Sequence, residues 1–188
     1  MDAAAALRPA AIDVTLGKWI YTIPALPAAD WIEAILDPDG GAVVPGLMDE
    51  ATRRDVWREF LRGHILKSEI DQAWRHAIGA ASGVPWWQCS RIVMSATDAD
   101  SWVVVHGKLT SQGLNLERIS LGAFYNAVYY QGLLSCENDA ERASFEFSVT
   151  SPPPEVSVQE AMAETNAEED FMAALASFQR IKAGEMPG

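Results

Sequence analysis

No apolar run in this chain approaches the roughly 20 residues that a helix needs to cross a bilayer. Its start, MDAAAALRPAAIDV, has neither the basic opening nor the leucine-rich stretch of a secretory leader. Both absences predict a cytoplasmic protein. Cysteine is scarce: Cys89 and Cys136 are the only two, and neither belongs to a C-x-x-C pair. No disulfide framework is indicated, and both read as small buried hydrophobes. The three histidines, His64, His76 and His106, form no H-E-x-x-H and no i, i+4 pair, so a metal site would need three separate segments to converge. Gly40, Gly41 and Gly46 make no G-x-G-x-x-G and no phosphate loop. No cofactor is indicated. Basic residues are also few, 14 against 26 acids for a net charge of −12. Such a surface repels nucleic-acid backbones and anionic lipid, which leaves proteins as the expected partners.

What the chain does have is apolar content. At 188 residues and 49% hydrophobic, it can bury one good-sized core. Residues 12 to 23, IDVTLGKWIYTI, alternate as two short strands around a Gly17-Lys18 turn. Pro27 suits a first helical position, and PAADWIEAIL reads as a helix with Trp31, Ile35 and Ile32 inward, ended by DPDGG in an exposed loop. Asp49 caps a helix with Val56, Trp57, Phe60 and Leu61 as its stripe and Gly63 as its stop. Ser68 and Asp71 have capping-box spacing before Ile70, Trp74 and Ile78. Gly83 ends that helix and Pro85 starts the next. DADSWVVVHGKLTSQG reads as a helix through Trp102, Val105 and Leu109, with Gly113 as its C-cap. Ser120 caps LGAFYNAVYYQGLL, apolar nearly all round, a pattern that belongs at the centre of a bundle. ENDAERASFEFSV gives one more short helix, with Phe145 and Phe147 near its end.

SPPPE marks a boundary, because successive prolines impose an extended segment. The expected organisation is a flexible N-terminus over 1–11, a helical body with its hairpin over 12–150, a Pro-rich acidic linker over 151–165, and a C-terminal amphipathic helix and tail over 166–188. Ser157 with Glu160, and Asn166 with Glu169, have capping-box spacing in that last part. Phe171, Leu175, Phe178 and Ile181 form its narrow apolar stripe. That stripe either docks on the body or is offered to a groove in another protein. The fold class is mainly α: a bundle of about six to eight helices with a short N-terminal β-hairpin and a tethered C-terminal helix.

Chemistry has one candidate. Cys89 would lie early in the helix after Pro85, where the helix dipole lowers a thiol pKa, and His64 or His106 would complete a nucleophilic pair. However, Cys89 shares a stripe with Trp86, Val93 and Ala96, which places it in the core. Asp98 and Asp100 read as helix-start residues. Seven tryptophans put about one on each element, mainly as core. The Trp86-Trp87 doublet is different, because adjacent helical side chains point about 100° apart and one face cannot take both. Trp87 falls at the edge, four residues before Arg91, where ring and guanidinium can stack. It serves either as part of a contact surface or as an amphipathic lid over the bundle edge.

Four stretches, VTLGKWIYTIPALPAADWIEAI, PGLMDEATRRDVWREFLRGHI, GVPWWQCSRIV and ISLGAFYNAVYY, carry a family resemblance over about residues 12 to 135. Together they resemble the tail assembly chaperones of long-tailed phages infecting actinobacteria. The resemblance implies a non-enzymatic protein in the host cytoplasm that coats the apolar, helical tape measure protein before tail-tube subunits polymerise around it. Members are absent from the finished virion, and many exist in a short and a frameshift-extended form, the extension engaging the tube protein. Self-association is a further expectation. The family supplies a role and no set of site residues. The partner-binding candidates remain Trp86, Trp87, Arg91, Phe171, Leu175, Phe178 and Ile181. Two other readings stay open: a structural protein of the tail or head–tail junction, and a small thiol enzyme using Cys89.

Overall fold

The computed structural model describes residues 8–37 and 43–156. The expected DPDGG loop beyond Asp37, the linker beyond Val156 and the C-terminal stripe lie outside the described residues, as does most of the N-terminal arm. Contacts divide the chain into one unit through Thr150 and a second from Ser151. In the second, Ser151–Pro153 is not helical, but a helical turn already begins at Pro154, inside the stretch expected to be linker. Proline is tolerated there because the first turn of a helix needs no amide donor from it.

The hairpin forms as its alternation requires. Strands β1 (Ile12–Leu16) and β2 (Trp19–Ile23) pair antiparallel with Val14 opposite Tyr21 and Leu16 opposite Trp19. Ile12, Val14 and Leu16 face the core, while Asp13 accepts a 2.6 Å hydrogen bond from Thr22 on the outer face. Gly17 is needed twice over: its φ is +60°, and a Cβ there would sit 2.7 Å from the His64 carbonyl oxygen.

Eight helices follow among the described residues, within the expected number. Helix α1 (Ala28–Leu36) starts one residue after Pro27, and the amides of Ala28 and Ala29 donate to the carbonyls of Ile119 and Leu116 at 2.8 and 3.2 Å. A distant loop therefore supplies the cap. Trp31 is inward as expected, stacked on Trp74 at 6.1 Å, whereas Ile35 is only half-buried. After the short α2 (Val43–Gly46), Asp49 caps α3 (Glu50–Leu61), accepting from the amides of Ala51 and Thr52. Val56 is buried, but Leu61 is 83% exposed and Glu59 is buried in its place. Five positions turn a helix through roughly 140° from the core-facing Val56, which sends Leu61 outward.

Helix α4 (Lys67–Ser82) starts one residue before Ser68. Glu69, not Asp71, reaches back to the Leu66 amide at 2.7 Å, while Asp71 pairs with Lys67 at 3.4 Å. The remaining helices are α5 (Trp86–Thr97), α6 (Ala99–Ser111), α7 (Leu121–Ser135) and α8 (Asp139–Thr150). The predicted stops at Gly63, Gly83 and Gly113 all have φ of +75°.

The centre of the bundle belongs to α5, which packs on α1, α4, α6, α7 and α8. Its inward residues, Cys89, Ile92, Val93 and Ala96, include small side chains that let several helices approach closely. Helix α7 was the expected centre, but it is buried only through Leu121, Phe124, Tyr125 and Val128, and it leaves Tyr130 and Leu134 exposed. No helix of the described residues is long and apolar enough to cross a membrane.

Candidate functional site

The doublet helix opens directly on Pro85, so both indoles lie in its first turn, with Trp86 edge-on to Trp87 (89°, centroids 6.1 Å apart). Both are half-buried. Trp86 packs against the core under the guanidinium of Arg75, 4.9 Å from its ring centroid. The Nε1 of Trp87 is buried without an acceptor.

Arg91 was placed where ring and guanidinium can stack on Trp87, and the guanidinium of Arg75 lies over Trp86. Nη1 of Arg91 donates to the carbonyls of Ser148 and Val149 at 3.0 and 3.2 Å. Those carbonyls belong to the last turn of α8, where four acceptors have no intrahelical donor and the dipole attracts a cation. A charged donor gains more from such acceptors than from a ring face. Trp86 and Trp87 thus come together, while Arg91 ties α5 to α8. Phe171, Leu175, Phe178 and Ile181 lie outside the described residues.

Cys89 is fully buried, and desolvation pushes its thiol up to about 12, against a weaker lowering by a hydrogen bond with Ser82. A thiol held neutral in this way supplies almost no thiolate at neutral pH. Of its two candidate partners, His64 has Nδ1 at 2.7 Å from a Glu59 carboxylate oxygen, and the His106 ring lies 5.4 Å from that of Trp102. Among the described residues, no group of three His, Cys, Asp or Glu side chains is placed to hold a metal ion.

Two features escaped the sequence reading. The first is Glu59. Its carboxylate accepts from Arg62 at 2.9 Å and meets His64, and these contacts, the His64 hydrogen bond foremost, hold it below the usual carboxylate range. The group locks the end of α3 to the turn that follows. An acid three positions before Arg62 and five before His64 was the available signal.

The second is an open groove of about 830 Å³ between α1, α6 and the loop after Gly113. Ile32 and Leu36 line it from α1, Trp102 and His106 from α6, and Leu114 and Leu116 from the loop. Trp102 was expected at helical spacing with Val105 and Leu109; the buried residue of α6 is Leu109, and Trp102 is only half-covered. The unpatterned apolar run Trp102–Val105 could have signalled a helix with more than one apolar face. A smaller cavity of about 310 Å³ lies among α5, α6, α7 and α8; Val104 and Phe145 line it, as does Gln131, whose Nε2 is buried without a partner. No protein family, curated protein or solved structure matches this chain.

Proposed function

We propose that this chain is a non-enzymatic assembly chaperone for phage tails. It holds the tape measure protein in the host cytoplasm until tail-tube subunits assemble around it. The observation that carries this reading is apolar surface on a strongly acidic helical body. Met94, Val103, Val104, Tyr130, Leu134 and Phe147, all from α5 to α8, are each more than half exposed. Large exposed apolar side chains on neighbouring elements favour association, because covering them removes apolar area from water. The net charge of −12 keeps the resulting complex soluble by self-repulsion. The family resemblance of the four sequence stretches gives the client its identity.

Co-expression with a tape measure fragment tests the proposal. The fragment should move to the soluble fraction and co-purify with this chain. A fragment equally insoluble and unbound with and without the chain refutes it. Mass spectrometry of purified particles separates a chaperone, which is missing, from a structural part, which is present in fixed copy number.

A further inference from the structure

We propose that the groove between α1 and α6 docks a partner helix whose apolar stripe is flanked by lysine or arginine. The proposal deepens the reading of this chain as a binding protein and rests on it for its biological setting.

The groove presents apolar side chains from both sides, at helical spacing on α1. Ile32 and Leu36 stand four residues apart on α1, and Trp102 extends the apolar lining from α6. Leu36 is 45% exposed and Trp102 half-covered, while Ile32 is buried beneath them, so Leu36 and Trp102 are the parts of this lining open to solvent. An amphipathic helix seats in such a groove by laying residues at i, i+3, i+4 and i+7 along it.

Charge selects the partner. Glu33 and Glu117 line the groove, and among the described residues no lysine or arginine does. The ion pairs of Glu50 with Arg54, Asp55 with Arg58, Glu59 with Arg62 and His64, and Asp71 with Lys67 lie on α3, α4 and the turn between them. Glu33 and Glu117 take part in none of them. Of the cations nearest Glu117 in sequence, Lys108 lines the smaller cavity and Arg118 is exposed. Glu33 also lines the neighbouring surface with Asp30, so the negative charge continues along α1. Carboxylates without ion-pair partners beside an apolar floor attract a basic helix and repel an acidic one or a nucleic acid.

The test uses the full chain and two synthetic helical peptides with the same leucine stripe, one flanked by lysines and one by glutamates. Calorimetry should show binding of the lysine peptide, weakened by salt, and much weaker binding of the glutamate peptide. The Trp102 indole resonance should shift on addition of the lysine peptide. The double variant Glu33→Lys/Glu117→Lys should lose about tenfold or more in affinity with an unchanged thermal melt. Glu137→Lys, an exposed change elsewhere, should keep it. The proposal is overturned if the lysine peptide fails to bind, if both peptides bind alike, or if Glu137→Lys matches the groove variant. A tape measure fragment held equally by wild type and groove variant removes the groove and leaves the chaperone reading standing. A peptide bound at the groove with no fragment held does the reverse.

Discussion

The carboxylate of Glu59, in the last turn of α3, lies 2.7 Å from Nδ1 of His64 in the turn that follows. Because Glu59 is ionised more readily in the fold than its ordinary value of 4.5, it stabilises the protein fully above that pH. The contribution disappears as pH falls through the lowered, folded-state value. Thermal melts across the acid range should therefore show a steeper loss of stability for the wild type than for Glu59→Gln. Glu59→Gln should also melt lower at neutral pH. Identical acid limbs would mean that the carboxylate is not held by these partners.

Cys89 titrates in the opposite sense. Its folded value of about 12 exceeds the ordinary 9.0, so its stabilising effect is complete below 9 and is lost as pH rises toward 12. At pH 8 a thiol reagent should label Cys136, which is partly exposed, and leave Cys89 untouched until denaturant is added. Rapid labelling of both thiols in the native protein would reopen the question of thiol chemistry.

A Cβ at Gly132 would lie 2.4 Å from Cζ of Phe145, so the ring of α8 sits directly on the backbone of α7. Gly132→Ala should destabilise by about 1–3 kcal/mol through overpacking. In a Phe145→Ala background the same change should become neutral or gain up to about 1 kcal/mol, the helical preference of alanine over glycine. Additive effects in urea titrations would show that the two positions do not touch.

Trp31 and Trp102 separate the two uses of indole. Trp31 is 2% exposed and stacked on Trp74, so Trp31→Ala should cost about 3–5 kcal/mol. Trp102→Ala removes a half-covered ring from an open groove and should cost about 1 kcal/mol. A Trp102 substitution as damaging as Trp31→Ala would make it a core residue.

Much of the fold was legible in local chemistry. The hairpin, the Asp49 and Ser120 caps and the glycine stops each depend on atoms within a few positions of one another, so their residue types announce them. Helix α6 was legible for the same reason, through Leu109 and Gly113. The groove was less so. An apolar residue at helical spacing, such as Trp102, looks the same whether a neighbour covers it or leaves it open.

The sequence by itself determined the class of fold, the order of its elements, the acidic surface and the burial of Cys89, because periodicity, capping and charge are properties of short stretches. Only the tertiary structure decided that α5 is the hub, that Arg91 caps α8, that the 116–119 loop caps α1, and that α1 and α6 leave an acidic groove between them. Each of those depends on which faces meet across long separations in the chain. A helical pattern marks a face as apolar without naming its neighbour.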